Sequence, residues 1–327
     1  MGSQVAVLLP CYNEAGAIGD TVHAFKRALP DCTVYVYDNN SSDSSVAEAR
    51  QAGAVVRHEQ RQGKGVVVKR MFADIDADIF VLADGDNTYD ASAARKMIKR
   101  LRNEQLDMIT GSRTVAREAY PAGHILGNKA FSGLINRFFG ARLNDVFSGY
   151  RVMSRRFVKS LPVLSYGFEI ETELTVHALH HRLPCIEMPT AYRNRPVGTS
   201  SKLRTFSDGF KILNFILFLL RDVKPLLFFS LLATAFALTS LMLGGPVISA
   251  FLHTGLVDRL PTALLASGFG LISAMCLFTG FILDNVSRGR LETKLIHYLN
   301  TPNQMQPRDS NTIATPDVTS DTEHLHG

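Results

Sequence analysis

The chain has 327 residues, with 35 Lys and Arg against 30 Asp and Glu and a formal net charge of +5. This length allows one large domain or two ordinary ones, with enough core to fold without covalent crosslinks. The four cysteines lie far apart and form no C-x-x-C pair, which argues against a zinc knuckle or a disulfide scaffold.

The first 110 residues alternate short apolar runs with helical patterns, an order typical of a parallel α/β sheet. The predicted strands are Val5–Leu9, Thr33–Tyr37, Ala54–Arg57, Ile79–Ala83 and Met108–Thr110. Three helices are predicted: one with an apolar face that starts at Ile18, and the segments Val66–Ala73 and Ala91–Asn103. The first strand follows the N-terminus without a basic segment, so no signal peptide is predicted.

Polar clusters directly follow three of these strands. They are C-Y-N-E at 11–14, D-N-N-S-S-D at 38–43 and D-G-D-N at 84–87. In open α/β sheets, ligands bind outside the carboxyl ends of the strands. The three clusters therefore predict one polar crevice at that edge of the sheet.

The D-G-D cluster carries two carboxylates, Asp84 and Asp86, on either side of Gly85. Carboxylate oxygens hold a hard divalent cation and leave positions open for diphosphate oxygens. Such a cation neutralises charge on a phosphate leaving group. The alternative is an acidic turn that only caps the next helix.

The other two strand ends suit a nucleotide. Tyr12 can stack on a base, while Asn13 and Glu14 either contact the base or cap the following helix. Asp38 either accepts a hydrogen bond from a base or ribose, or forms an Asx turn with Ser41.

One lysine lies in a glycine-rich turn, R-Q-G-K-G, at 61–65. The turn lacks the spacing of a P-loop, so a P-loop is not predicted. Lys64 therefore either approaches a diphosphate or is a solvated turn lysine.

The C-terminal half contains two amphipathic segments with aromatic and basic residues, Leu126–Phe139 and Phe206–Leu220. Both are predicted to be helices lying in a membrane interface. Between them, Phe168–His181 predicts a helix and Ile186–Tyr192 predicts a strand.

Residues 225–257 and 261–283 contain no charged side chain. Each run is longer than the roughly 20 apolar residues that cross a bilayer. Basic residues flank the pair on both sides, and Arg259 is the one basic residue in the loop between them, so the positive-inside rule places both termini in the cytoplasm.

The small residues Ala266, Gly270 and Ala274 can pack helices within one chain or in a homo-oligomer. The tail after residue 300 is polar and predicted to be disordered.

Charge is distributed unevenly along the chain. Residues 1–99 carry −2 (11 basic, 13 acidic), whereas residues 100–224 carry +9 (19 basic, 10 acidic). A basic region suggests an anionic partner. No nucleic-acid reading motif accompanies it, so nucleic acid is not predicted as a partner.

The ordered set of motifs resembles a known family. It comprises P-C-Y-N-E, D-N-N-S-S-D, R-Q-G-K-G, D-G-D-N, G-S-R (111–113), S-G-Y-R (148–151) and a late R-x(6)-K, followed by two spans. This order resembles the family 2 glycosyltransferases of the polyprenyl-phosphate type, relatives of dolichol-phosphate mannose synthase and bacterial undecaprenyl-phosphate sugar transferases. The resemblance covers roughly residues 4–300. It implies an α/β GT-A nucleotide-diphospho-sugar transferase fold with a mostly parallel sheet.

The resemblance also implies a role for each matching residue. The nucleotide-sugar pocket would be lined by Pro10, Tyr12, Asn13, Glu14, Val36, Asp38, Lys64, Asp84, Gly85 and Asp86. The metal, Mg²⁺ or Mn²⁺, would be held by Asp84 and Asp86, which with Arg113 form the catalytic set. The phosphate and acceptor side would use Arg113, Ser148, Arg195 and Lys202, and the basic charge of residues 100–224 adds Arg137 and Arg151 as candidates.

The chain departs from the family pattern at three of these motifs, and one of them is the segment from Arg195 to Lys202, which is one residue longer than in some relatives. The second strand ends D-N-N-S where the family usually has D-D-G-S, so one acidic contact is missing. Thr88 follows D-G-D-N where relatives often carry Gln.

The basic region supports a phosphate acceptor on physical grounds. A sugar hydroxyl needs a general base because its pKa lies far above 7. A phosphate monoester is already anionic at pH 7 and needs cations to approach a diphosphate. The alternative is that these basic residues only bind anionic lipid headgroups.

The residues and the resemblance together predict a metal-dependent transferase, and the resemblance implies that it inverts the anomeric centre. It would move a hexose-type sugar from a UDP- or GDP-linked donor to a polyprenyl phosphate, undecaprenyl or dolichyl, at the cytoplasmic membrane face. The predicted parts are a catalytic domain (1–204), a juxtamembrane helix (205–224), two spans (225–284), a second juxtamembrane helix (285–300) and the tail (301–327). The rivals are a transferase that extends a glycan hydroxyl and an inactive membrane-tethered nucleotide-binding scaffold.

Overall fold

The computed structural model describes residues 4–114, 133, 144–193, 214, 217, 218, 220–257 and 259–302. The strands are β1 (Val5–Cys11), β2 (Thr33–Asp38), β3 (Val55–His58), β4 (Ile79–Leu82), β5 (Met108–Thr114), β6 (Arg151–Ser154) and β7 (Cys185–Ala191). The helices are α1 (Ile18–Ala28), α2 (Ser45–Gln51), α3 (Lys64–Asp74), α4 (Ala93–Asn103), α5 (Arg155–Ser160), α6 (Ile170–His180), α7 (Pro225–Thr254) and α8 (Leu260–Asn300).

Within these described residues, seven strands form one sheet in the order β3-β2-β1-β4-β6-β5-β7. β6 runs antiparallel to both of its neighbours, and the other pairs are parallel. The mostly parallel α/β sheet predicted from the sequence is thereby confirmed. β6 was not predicted, because its four residues R-V-M-S begin with a charge and follow a glycine-containing turn.

The central strands β1 and β4 are buried on both faces of the sheet. On one face, Val7 and Leu9 of β1 pack in a cluster with Phe25 of α1. On the other face, Leu8 packs in a second cluster with Met71 of α3. Side chains alternate between the two faces of a strand, so a near-continuous apolar run is what a doubly covered strand requires. Burying each large side chain contributes about 1.5–3 kcal/mol.

α7 and α8 form a hairpin of two helices that are long and apolar enough to cross a membrane. They pack closely because small residues face each other, and Ser240 donates a hydrogen bond to the Ala266 carbonyl at 2.7 Å. A Cβ added at Gly270 would lie 3.3 Å from the Ser240 Oγ. Ala266 and Gly270 are thus used for packing within one chain.

α8 continues without interruption from its apolar part to Asn300. The predicted helix over residues 285–300 is therefore the end of this one long helix. The two predicted interfacial helices, Leu126–Phe139 and Phe206–Leu220, lie largely outside the described residues.

Candidate active site

The three polar clusters lie side by side at the carboxyl edge of the sheet. β1 is the central strand, and it pairs in parallel with β2 on one side and β4 on the other. Cys11 lies opposite Asp38 in the register of β1 and β2, and the Asn39 amide donates to the Cys11 carbonyl at 2.8 Å. The predicted convergence of the strand ends is what this topology produces.

A buried lysine joins two carboxylates at this edge. The Nζ of Lys64 lies 2.5 Å from Oδ1 of Asp84 and 2.5 Å from Oε1 of Glu171. The Lys64 and Glu171 side chains are 13% and 5% exposed, whereas that of Asp84 is 30% exposed. Lys64 is therefore a buried counter-ion, and its description as a solvated turn lysine is wrong.

The charges of this cluster stabilise one another. Burial alone would lower the pKa of Lys64. The adjacent Asp84 and Glu171 carboxylates have a larger effect in the opposite direction, so the pKa of Lys64 is raised. Burial raises the pKa of Glu171, opposed by Lys64. The ammonium is consequently charged at neutral pH.

Main-chain contacts position Lys64. It is the first residue of α3, and the Gly65 amide donates to the Tyr166 carbonyl at 3.0 Å. A Cβ on Gly65 would overlap the Ser165 carbonyl, so the loop before α6 packs directly on the start of α3. This contact fills the helix N-terminus, where a P-loop would hold phosphate.

The S-G-Y-R loop packs against Asp84. A Cβ on Gly149 would lie 2.9 Å from Oδ2 of Asp84, so a side chain at this position would displace the carboxylate. The Gly149 amide donates to the hydroxyl of Tyr89 at 3.0 Å, which ties this loop to the segment after D-G-D-N.

Asp86 is buried, with 1% of its surface exposed. Its Oδ1 accepts hydrogen bonds from the Thr88 hydroxyl at 2.6 Å and the Thr88 amide at 3.3 Å. A Cβ at Gly85 would lie 2.9 Å from Cδ1 of Ile18, so the Ile18 side chain would have to shift to admit it. Thr88, where relatives often carry Gln, therefore orients Asp86.

On the nucleotide side, Tyr12 is 39% exposed and presents its ring at the edge of the sheet. The amide of Asn13 donates to the Ser41 hydroxyl at 2.9 Å, and its side-chain carbonyl accepts from the Ser42 amide at 2.8 Å. Asn13 thus connects the first two clusters and does not cap α1, whose N-cap is Ala17.

Glu14 and Asp38 are both buried. The Glu14 amide donates to the Ser45 hydroxyl at 2.7 Å. The Asp38 carboxylate accepts from the Ser41 amide at 3.2 Å and lies 3.1 Å from Nδ1 of His58. The Asx turn with Ser41 is therefore present, and a contact from Asp38 to a base or ribose stays a prediction.

Asn39 takes the place of the second aspartate in the family's D-D-G-S motif, and its contacts explain this departure. Its side-chain nitrogen donates to the carbonyls of Glu59 and Arg61 at 2.9 and 2.8 Å, and its oxygen accepts from the Gly63 amide at 2.7 Å. A carboxylate cannot donate, so the amide at this position holds the turn that presents Lys64.

Two predicted pocket residues belong to the strands themselves. Val36 is fully buried in the core cluster of β1 and β2, so its side chain cannot line the nucleotide pocket as predicted. Pro10 is partly buried in β1, opposite Tyr37 in the register.

Arg113, near the end of β5, forms a two-pronged ion pair with Asp145. Its Nε and Nη2 lie 2.7 Å from the two carboxylate oxygens, and its guanidinium lies 5.7 Å from the centre of the Tyr192 ring. Its side chain is 16% exposed. This geometry fixes the guanidinium while leaving it partly accessible.

Ser148 and Arg151 are placed differently from the prediction. Both are fully buried. Ser148 donates to the Gly111 carbonyl at 2.5 Å, and the Arg151 Nη2 lies within hydrogen-bond distance of three oxygens, among them the Glu171 carbonyl at 2.7 Å. Burial lowers the pKa of Arg151 to about 10, which still leaves it charged. Their assignment as acceptor-phosphate contacts is wrong, because neither side chain can reach a ligand from the core.

Arg137, Arg195 and Lys202 lie outside the described residues. Sequence reasoning assigns no role to Glu171, which the fold brings against Lys64. It also missed Asp145 and Gly149 as structural partners of Arg113 and Asp84. The one available signal was the run Glu169, Glu171 and Glu173 at the start of a predicted helix.

The donor set at this edge fits a divalent cation. Asp84 and Glu171 both contact the Lys64 ammonium, Asp86 lies two residues after Asp84, and the Oε2 of Glu171 is buried without a hydrogen-bond partner. Within the described residues, no group of three His, Cys, Asp or Glu side chains forms a complete metal site. Mg²⁺ is usually bound by one or two carboxylates together with substrate phosphates and water. Asp84 and Asp86 are suited to that kind of site.

Comparison with known proteins agrees with this arrangement. Residues 6–161 match the model of Glycosyl transferase family 2. An uncharacterized protein of Shigella flexneri is 49% identical over 158 residues, covering 48% of this chain and 97% of that protein. The glycosyltransferase AglJ of Haloferax volcanii is 33% identical over 245 residues, covering 73% of this chain and 79% of AglJ.

The chain belongs to glycosyl transferase family 2. This confirms the resemblance, and the chain is a glycosyltransferase. A dolichyl-phosphate hexose transferase of Haloferax volcanii is 29% identical over 206 residues, covering 63% of this chain and 89% of that protein.

Solved structures share the GT-A fold. Glucosyl-3-phosphoglycerate synthase from Mycobacterium tuberculosis, in a complex with Mg²⁺ and uridine diphosphate, aligns with a TM-score of 0.55 and 22% identity. The alignment covers 66% of this chain and 79% of that one. The same protein has been crystallised with Mn²⁺ and UDP-glucose. At this identity the likeness shows the fold alone.

Proposed function

We propose that this glycosyltransferase moves a hexose-type sugar from a nucleoside diphosphate sugar to a polyprenyl phosphate. The donor would be UDP- or GDP-linked, and the reaction would invert the anomeric centre and depend on Mg²⁺ or Mn²⁺. The observation that carries the proposal is the cluster of Asp84, Lys64 and Glu171 beside Asp86, in a chain with two candidate membrane spans.

The donor half follows from the charge at the sheet edge. Asp84 and Asp86 would hold the cation, which when bound neutralises the charge that develops on the departing diphosphate. Lys64 orients the Asp84 carboxylate, because its ammonium lies 2.5 Å away in a mostly buried site. Arg113, fixed by Asp145, would present a further cation to the phosphates.

The acceptor half follows from the chemistry of phosphate. A phosphate monoester oxygen is already a nucleophile at neutral pH, so no general base is needed to ionise it. That oxygen would attack the anomeric carbon as the bond to the diphosphate breaks, and the electron pair would leave with the diphosphate. Arg137, Arg195 and Lys202 would lower the repulsion between the two anionic substrates.

Relatives and sequence support this acceptor and its location. One relative is named a dolichyl-phosphate hexose transferase. We propose that residues 1–204 form the catalytic domain on the cytoplasmic side, with the amphipathic segment 205–224 at the membrane surface and both termini cytoplasmic. The basic residues on either side of the two candidate spans favour this orientation.

The test is an assay of purified full-length protein in lipid vesicles. The protein is incubated with polyprenyl phosphate and a panel of UDP- and GDP-linked sugars, with and without EDTA. A glycolipid formed only with polyprenyl phosphate and metal supports the proposal. Transfer to an unphosphorylated glycolipid would favour the hydroxyl-extending rival, and nucleotide binding without transfer from any donor would favour the scaffold.

A further inference from the structure

The end of α8 lies against the catalytic sheet. The charge-free part of this helix ends at residue 283, and the helix continues to Asn300, about 25 Å farther at 1.5 Å per residue. Tyr298 is partly buried there and packs against the hydrophobic cluster on one face of the sheet. The second candidate span is thus directly connected to the enzyme body.

Three side chains make this contact. The Tyr298 hydroxyl donates to Oδ2 of Asp107 at 2.6 Å, and the Arg156 guanidinium lies 4.9 Å from the centre of the Tyr298 ring. Arg156 also pairs with Asp107, with Nε 2.6 Å from Oδ1. Asp107 is fully buried. Burial and the Asp107 carboxylate raise the pKa of Tyr298, so the phenol stays protonated and remains a donor.

A second attachment holds the same helix closer to its apolar part. The Ser287 hydroxyl donates to the Asp222 carbonyl at 3.0 Å, and Arg290 pairs with the Asp222 carboxylate at 2.9 Å. Ser287 and Tyr298 are about 16 Å apart along a helix. Asp222 lies just before α7, so this attachment joins the two helices of the hairpin and keeps the end of α8 in line with it.

The contact between Tyr298 and Asp107 is connected to the strands of the active site. Asp107 immediately precedes β5, which carries Arg113 near its other end. The Ser154 hydroxyl donates to Oδ1 of Asp107 at 2.7 Å, and Ser154 ends β6, which begins at Arg151 beside the Asp84 loop. A displacement of α8 would therefore be transmitted to the sheet as a whole.

We propose that Tyr298, Asp107 and Arg156 form a clasp that fixes the orientation of the catalytic sheet relative to the membrane hairpin. Tyr298 is then a positioning residue for acceptors held in a bilayer; this part rests on the proposed function. A bilayer confines the acceptor phosphate to one plane. If the catalytic sheet pivoted freely, its active site would face that plane only part of the time. Restricting this motion in advance lowers the entropic cost of productive encounter. An acceptor free in solution approaches from any direction and gains nothing from the clasp.

The clasp can be tested in full-length protein reconstituted in vesicles. Tyr298→Ala removes the whole contact, and Tyr298→Phe removes only the hydrogen bond. Leu299→Ala is the matched control, since Leu299 is 70% exposed on the same turn of α8. The first readout is hydrogen exchange at the amides of residues 294–300. The second is sugar transfer to long-chain polyprenyl phosphate in the bilayer and to a short water-soluble polyprenyl phosphate.

In Tyr298→Ala, we expect amide hydrogen exchange at the end of α8 to become about tenfold faster. This is the change in the opening equilibrium that the loss of one hydrogen bond to a charged group produces. The KM for the bilayer acceptor should rise by a similar factor, while kcat/KM for the soluble acceptor stays within about twofold of the wild type. Tyr298→Phe should be intermediate, and Leu299→Ala should match the wild type.

Unchanged exchange in Tyr298→Ala would overturn the clasp. An equal loss with both acceptors would show that the contact only stabilises the catalytic domain. If the wild type glycosylates neither acceptor, the proposed function fails. The exchange measurement then still decides whether the clasp holds the helix.

Discussion

The Nζ of Lys64 lies 2.5 Å from Oδ1 of Asp84, although 20 residues separate them in the chain. The same ammonium is shared with Glu171, which is 107 residues from Lys64. One buried cation thereby orients the first carboxylate of D-G-D before any ligand arrives. Preorganised charge of this kind is usually the largest single contribution to catalysis.

Lys64→Ala should reduce both stability and activity. Removing one partner of a buried ion pair costs about 3–5 kcal/mol, because the Asp84 and Glu171 carboxylates would face each other without a counter-ion. Sugar transfer should fall about 100-fold, as on loss of one preorganised electrostatic group. Unfolding followed by circular dichroism and a transfer assay measure the two effects. Lys69→Ala, on the exposed side of the same helix, is the control, and equal behaviour of the two variants would refute this role of Lys64.

Gly149→Ala should impair catalysis more than folding. The new Cβ would lie 2.9 Å from Oδ2 of Asp84, so the carboxylate must shift. Overpacking costs about 1–3 kcal/mol, and a misplacement of about 1 Å lowers activity by up to 100-fold. Gly289→Ala, on α8 with open space around it, should leave kcat unchanged. Full activity of Gly149→Ala would mean that the S-G-Y-R loop does not position Asp84.

Asn39→Asp restores the acidic residue that the family usually carries, and we expect it to destabilise this chain. The new carboxylate would face the carbonyls of Glu59 and Arg61 in a buried position without a proton to donate. Leaving such groups unsatisfied costs about 1–3 kcal/mol. Asn103→Asp at an exposed helix end is the control for the added charge. A more stable Asn39→Asp variant would contradict the role assigned to the Asn39 amide.

Acid should destabilise the fold through two neighbouring histidines at the C-terminal end of α6, His177 and the C-cap residue His181. The rings of His177 and His181 are 4.4 Å apart, and burial lowers their pKa values to about 2 and about 4. In the unfolded chain, both histidines become protonated near pH 6.5, whereas in the folded chain they stay neutral down to about pH 4. The unfolded state therefore binds more protons, and the free energy of unfolding falls as the pH drops from about 6.5 to 4. The slope is about 1.4 kcal/mol per pH unit for each histidine. Chemical unfolding at several pH values measures it, and His177→Phe should reduce the slope. An unchanged slope would show that these histidines do not carry the effect.

Most of the sheet could be predicted because apolar runs determine its strands. β1, β2 and β4 were predicted to within two residues of their observed ends, since each is buried on both faces and ends at a polar cluster. The polar edge followed from the rule that parallel strands end together. β6 was missed because a short antiparallel strand starting with Arg151 carries no continuous apolar pattern.

The site was harder to predict than the sheet because burial is not visible in composition. Arg151 and Ser148 carry the groups that bind phosphate, yet the folded chain uses them for internal hydrogen bonds. Glu171 looked like one of three equivalent carboxylates, and only the packing of α6 on the start of α3 brings it to Lys64. Spacing along the chain gives no indication of such distant pairs.

The most direct test of the proposed reaction is mass spectrometry of the lipids after incubation with polyprenyl phosphate, a nucleotide sugar panel and Mg²⁺. Wild-type protein should convert polyprenyl phosphate into a product heavier by one sugar residue, and Asp86→Ala should form none while keeping the circular dichroism of the wild type. Formation of no such product by the wild type from any donor, or full conversion by Asp86→Ala, would contradict the proposed reaction and its metal site.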